Sequence, residues 1–121
     1  MDLTTKWTAA GTSVLGCWLL AAPFVFGAPA ADRWNDIIVG TAIVLVAGYN
    51  YTRAARRRAT SQTGAALVAV LGCWLVVAPF VFGLEGPALW NDVVTGTVVA
   101  SFAGYNAYVA GSAAPLRATA Q

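Results

Sequence analysis

Charged residues divide this chain into long uncharged runs, from Trp7 to Ala31, Ile37 to Thr52, Ala59 to Leu84 and Val93 to Leu116. About 20 apolar residues cross the roughly 30 Å core of a bilayer as a helix, so each run predicts one span. The spans are placed at about Trp7–Phe26, Asp36–Tyr51, Gly64–Phe82 and Asp92–Ala110. The second is short, and Asp36 and Arg53 are expected to lie in the headgroup region at its ends. Gly64–Leu84 holds no Asp, Glu, Lys, Arg, Asn, Gln, Ser or Thr, so it has no polar face to turn to water. The runs lack the dyad alternation of a membrane β-barrel.

The pattern is also written twice. GCWLLAAPFVFG at Gly16–Gly27 returns as GCWLVVAPFVFG at Gly72–Gly83, and WNDIIVGTAIVLVAGYN from Trp34 returns as WNDVVTGTVVASFAGYN from Trp90, both at an offset of 56 residues. Six residues separate the two motifs in each copy, enough only for a tight connection between antiparallel helices. The expected architecture is an all-α membrane protein of four transmembrane helices, built as two tandem helical hairpins in parallel repeat. Repeat one covers 7–55, a basic linker 53–62, repeat two 63–111 and a flexible tail 112–121.

Composition agrees with this reading: 59% of residues are hydrophobic, 10% are charged, and the mean hydropathy is +0.67. A soluble domain carries roughly a quarter charged residues. Lys6, Arg53, Arg56, Arg57, Arg58 and Arg117 fall on one side of a four-span topology and Arg33 alone on the other. The positive-inside rule therefore places both termini and the linker in the cytoplasm, as a multi-pass protein of the plasma membrane. Each repeat then enters from the same side, which makes the repeats parallel about an axis along the membrane normal. Ala28-Pro29-Ala30 resembles a signal-peptide cleavage site, but the matching loop of repeat two has no such site.

Several groups of residues are candidates for more than packing. Small residues recur every fourth position at Ala9, Ser13, Cys17 and Ala21, at Ala65, Ala69 and Cys73, and at Gly96, Ala100 and Gly104. Such seams bring helices close, within one chain or between copies. Cys17 and Cys73 are read as small packing residues, since neither has a CxxC partner and the chain has no His. Pro23 and Pro79 should kink or end their helices near the outer face. Two readings of Trp34-Asn35-Asp36 and Trp90-Asn91-Asp92 stand side by side. In one, Asn and Asp only cap the following helix. In the other, they join the proline break in an outer polar cluster, once per repeat. Arg53, Arg56, Arg57 and Arg58 are headgroup candidates at about 1 kcal/mol per charge, or a plain topology signal. Nothing aromatic is interleaved with them to suggest nucleic acid.

The motif run resembles the SPW repeat family of small bacterial and archaeal integral membrane proteins: Gly16 and Trp18 before Pro23 and Phe24, then Trp34, Asn35 and Asp36, with Gly72, Trp74, Pro79, Phe80, Trp90, Asn91 and Asp92 as the second copy. The family's Ser-Pro-Trp reads Ala22-Pro23-Phe24 and Ala78-Pro79-Phe80 here. The resemblance implies a two-repeat, four-helix membrane domain and transfers no functional residues.

With Asp36 and Asp92 placed at span ends, the spans hold no ionisable side chain except cysteines and tyrosines. That argues against an enzyme and against a proton-coupled transporter, which generally needs an intramembrane acid. The absence of His excludes histidine-ligated haem, and no catalytic, cofactor or metal site is expected. The expected role is a structural or interaction protein whose partners are membrane lipids, further copies of itself or another membrane protein. The alternative is an oligomeric channel or carrier for an uncharged small solute.

Overall fold

The computed structural model describes residues 3–27, 29–56 and 61–120, the side chains of 113–120 excepted. It contains α1 (Leu3–Phe26), α2 (Ala30–Ala55), α3 (Gln62–Val81) and α4 (Gly86–Ala120), with no strand among the described residues. All four are long and apolar enough to cross a membrane. α1 packs on α2 and α3 on α4 as antiparallel hairpins, while α1 meets α4 and α2 meets α3 between hairpins. The four helices thus close into a ring, the up-down-up-down arrangement of a four-helix bundle.

The inward face follows a spacing of three and four residues. In α2 it runs through Asp32, Asp36, Val39, Ile43, Ala47, Asn50 and Ala54, and in α1 through Thr5, Ala9, Thr12, Gly16, Leu19 and Ala22. The core repeats with the sequence: Leu19 matches Leu75 and Ile43 matches Val99, all fully buried. Outward positions carry large apolar groups, among them Val14, Leu45, Val70 and Phe80, as a lipid-facing surface requires. From exposed Trp7 to exposed Phe24 there are 17 residues, about 26 Å of helix at 1.5 Å each. Aromatic side chains therefore mark the two interfaces at near-bilayer spacing.

Glycines set the middle of each hairpin. A Cβ on Gly72 would stand 2.6 Å from the Ala100 nitrogen and 2.9 Å from the Gly96 carbonyl, and one on Gly96 would stand 2.7 Å from the Gly72 carbonyl. In the other hairpin a Cβ on Gly40 would stand 2.9 Å from the Gly16 carbonyl. Backbone meets backbone at both crossings, which only glycine permits.

The helices turn at glycine and restart at proline. Gly27 and Gly83 have φ of 63° and 67°. After α3, the Gly83 N–H donates to the Phe80 carbonyl at 3.4 Å and the Leu84 N–H to the Pro79 carbonyl at 2.8 Å, a Schellman closure. Pro23 and Pro79 lie buried in the last turn, and each helix ends within three residues of its proline. α3 begins at the Ser61 cap, whose hydroxyl accepts from the Gly64 N–H at 3.1 Å.

Three expectations change. α2 and α4 start at Ala30 and Gly86, six residues before Asp36 and Asp92, so Asn35 and Asn91 lie in the second helical turn and cap nothing. Pro29 and Pro87 explain the early start, because a proline's fixed φ suits a helix N-terminus. The every-fourth-residue seam holds in α4, where Gly96 and Ala100 meet Gly72, but only at its start in α1 and α3: Ala9 and Ala65 are buried, whereas Cys17, Ala21 and Cys73 are exposed. At 3.6 residues per turn, a strict four-residue step drifts off the contact face within three steps. α4 also continues to Ala120, through the stretch assigned to the tail, where alanine favours helix.

Candidate functional site

The two repeats exchange hydrogen bonds at the end of the bundle that carries the α1–α2 and α3–α4 turns. Trp18 of α1 donates its indole N–H to Asn91 Oδ1 of α4 at 2.7 Å, and Trp74 of α3 donates to Asn35 Oδ1 of α2 at 2.7 Å. Each tryptophan is held edge-on by an aromatic two helical turns along, Trp18 by Phe26 at 6.2 Å and Trp74 by Phe82 at 6.3 Å. The asparagine amides then donate onward to their neighbouring carboxylates, Asn91 to Asp92 Oδ1 at 3.3 Å and Asn35 to Asp36 Oδ1 at 3.5 Å.

These two relays end in one place. Asp32, Asp36 and Asp92 are each 1% exposed, and one carboxylate oxygen from each lies within 4.8 Å of the other two. Asp36 and Asp92 are repeat equivalents, but Asp32 is not repeated, since Ala88 stands in its place. Asp32 Oδ1 and Asp92 Oδ2 are buried without a hydrogen-bond partner. No lysine or arginine among the described residues is seen to pair with them; Arg33 instead places its guanidinium 5.9 Å over the Phe24 ring. Two carboxylates at 4.8 Å repel by about 3 kcal/mol at an effective dielectric constant of about 20, and three make three such pairs. Something positive has to compensate, protons on the carboxyls or a cation between them.

This corrects the expectation that the spans hold no ionisable side chain beyond cysteines and tyrosines. The helices begin earlier than the apolar runs, and the acids continue the inward stripe: Asp32 and Asp36 lead into Val39 and Ile43, and Asp92 leads into Gly96 and Val99. Stepping back along that stripe by threes and fours, from Val39 to Asp36 to Asp32 and from Val99 to Gly96 to Asp92, would have found all three. Asn and Asp of the two repeats therefore meet in one polar cluster joined to Trp18 and Trp74, which differs from the expected pair of clusters built on the proline breaks.

The remaining candidates are scattered. Phe24, Phe80, Trp34 and Trp90 point outward, at 61 to 66% exposure. Cys17 and Cys73 are free and exposed, so neither packs in the interior. Arg53 donates to the Tyr49 hydroxyl at 2.9 Å and Arg56 is exposed, while Arg57 and Arg58 lie outside the described residues. At the other end of the bundle Asn50 holds the linker, accepting from the Ser61 N–H at 2.9 Å and donating to its carbonyl at 3.3 Å. Its repeat equivalent Asn106 accepts from the Thr8 hydroxyl at 2.6 Å.

Two helical hairpins in parallel repeat, tied near their turns by reciprocal Trp–Asn bonds, define a four-helix membrane protein. The chain belongs to the SPW repeat family: the model of the SPW repeat domain matches residues 6–106, from the first span almost to the end of the described side chains. Among curated proteins and among solved structures, none matches the chain.

Proposed function

We propose that this protein is a non-catalytic structural or interaction component of the plasma membrane, acting as a self-associating module or as a subunit of a larger assembly. The observation that carries this reading is the closed interior. Backbone contact at Gly16–Gly40 and at Gly72–Gly96 fills the middle of each hairpin, and Leu19, Ile43, Leu75 and Val99 fill the space between them. The cleft between Ala9, Thr12, Ala47, Asn50, Ala65, Val68, Ala103 and Asn106 has room for about 10 Å³, the size of one water. A single copy thus offers no passage for a solute, and the apolar outer surface is left for lipid or for other helices. No histidine can serve the acid cluster, since the chain contains none.

Orientation with both termini and the linker in the cytoplasm belongs to the same proposal, supported by the bias of basic residues. Lys6 lies 5.5 Å over the Trp7 ring and Arg53 5.6 Å over Tyr49, placing cations among aromatics at that interface, where anionic headgroups would meet Arg53 and Arg56. Native mass measurement in mild detergent, with crosslinking in membranes, tests the role: a defined oligomer or complex is expected, and a strict monomer overturns it. Specific flux of an uncharged solute into liposomes carrying the purified chain would favour the oligomeric conduit instead. A terminal tag reached by protease from outside the cell would reverse the orientation.

A further inference from the structure

We propose that Asp32, Asp36 and Asp92 form a binding site for a hard divalent cation of calcium's size at the outer end of the bundle. The inference is independent of what the protein associates with. One carboxylate oxygen from each acid lies within 4.8 Å of the other two, close enough for a small inward shift to bring all three onto one ion at calcium's bond length of about 2.4 Å. Magnesium, at about 2.1 Å, would need the three side chains drawn closer and ideal octahedral geometry. An all-oxygen donor set excludes the soft metals that select thiolate, and the cysteines face away in any case.

Acids gathered at a helix start do not make a site by themselves. Here the second observation is that Asp32 Oδ1 and Asp92 Oδ2 are buried without a hydrogen-bond partner, in converging side chains that are 99% covered. Buried carboxylates are paired or coordinate metals. The other carboxylate oxygens of Asp36 and Asp92 are oriented by Asn35 and Asn91, which are themselves fixed by tryptophans of the opposite repeat. Such outer partners are what metal-ligating side chains require. The asymmetry of the repeat supports the same reading. Packing alone would be satisfied by alanine, as Ala88 shows at the equivalent position, yet Asp32 adds a third acid to a symmetric pair. Asp36 and Asp92 lie two residues inside Trp34 and Trp90 and Asp32 two residues before Trp34, each about 3 Å along the helix from the aromatic belt, a short path for an ion and its remaining water ligands.

The test uses the full chain in detergent, stripped with EDTA and titrated with calcium chloride by calorimetry, with thermal unfolding followed in parallel. Saturable binding near one ion per chain and a raised unfolding midpoint are expected, with magnesium weaker and sodium without effect at equal ionic strength. Asp32→Ala, which copies the residue of repeat two, and the isosteric Asp36→Asn and Asp92→Asn should each weaken calcium binding at least about tenfold. Glu85→Gln, at an exposed acid in the loop outside the cluster, should leave it unchanged. A wild-type chain that takes up no calcium overturns the proposal, whatever the variants do. So does stabilisation by acid with none by calcium, which would place protons in the cluster. Unaltered calcium affinity in any aspartate variant that folds also overturns it.

Discussion

Trp18 and Asn91 lie 73 residues apart in sequence and 2.7 Å apart in space, and Trp74 and Asn35 repeat the same bond between the same helices with the halves exchanged. Each hairpin therefore holds the other's second helix at the end that carries the turns. Hydrogen bonds between membrane helices contribute about 0.6 kcal/mol on average and at most about 1.7 kcal/mol. Trp18→Phe keeps the ring and the Phe26 contact and loses the donor. It should destabilise by about 0.5 to 1.5 kcal/mol in detergent unfolding, and should cost little more when added to Asn91→Leu, whose own loss includes the bond to Asp92. Fully additive single effects would show that the bond does not couple the repeats.

The glycine crossings predict opposite outcomes for one chemical change. Gly72→Ala drives a methyl into the Ala100 backbone at 2.6 Å, where no side chain can rotate away, so the hairpin must open by about 1 to 3 kcal/mol. Gly104→Ala meets nothing within 4 Å and should be neutral or stabilise by up to about 1 kcal/mol, through helix propensity alone. Unfolding midpoints of the two variants decide the matter. Similar losses would mean that glycine acts through backbone freedom and not through contact.

The four spans were legible because runs such as Gly64–Leu84 have nowhere to go but a bilayer, and the pairing of hairpins followed from a connection of six residues. Where the helices begin was not read correctly, because an apolar run ends at its first charge whereas α2 and α4 begin at prolines several residues earlier. That displacement hid the site. Asp36 and Asp92 looked like headgroup-level caps, and Asp32 looked like loop. The Trp–Asn exchange was not legible at all: it depends on how two hairpins dock, and repeat symmetry allows each Trp to face either its own Asn or the other's. The cysteines misled for a simpler reason, since the four-residue step that links Ala9 to Cys17 does not follow the turn of a helix.

Gly83 closes α3 with φ of 67° and the two backbone bonds that follow from it. Its position is open, with nothing within 4 Å of a Cβ, so a substitution there tests conformation without crowding. Gly83→Ala should destabilise by about 1 to 2 kcal/mol, the penalty for an L-residue in the left-handed region. Gly83→Asn should lose less, because asparagine tolerates that conformation. Equal losses for alanine and asparagine would show that the turn relaxes to another geometry.

Cys17 and Cys73 follow the crossing glycines Gly16 and Gly72 directly, and one step of about 100° around the helix carries them from the contact face to the outside. Ten residues from Trp7, about 15 Å of helix, Cys17 stands near mid-depth of the span. A side chain there touches lipid or a second copy, so replacing both cysteines by alanine should move stability by no more than about 0.5 kcal/mol. A larger loss in the isolated chain would return the thiols to the interior. Oxidation in native membranes uses the same exposure to examine association. If copies meet along α1 or α3, single-cysteine chains should form reducible dimers, and Cys17→Ala and Cys73→Ala will differ according to which helix lies at the contact. Dimers from neither variant, in membranes where crosslinking through lysines still reports an oligomer, would assign the interface to the faces of α2 and α4.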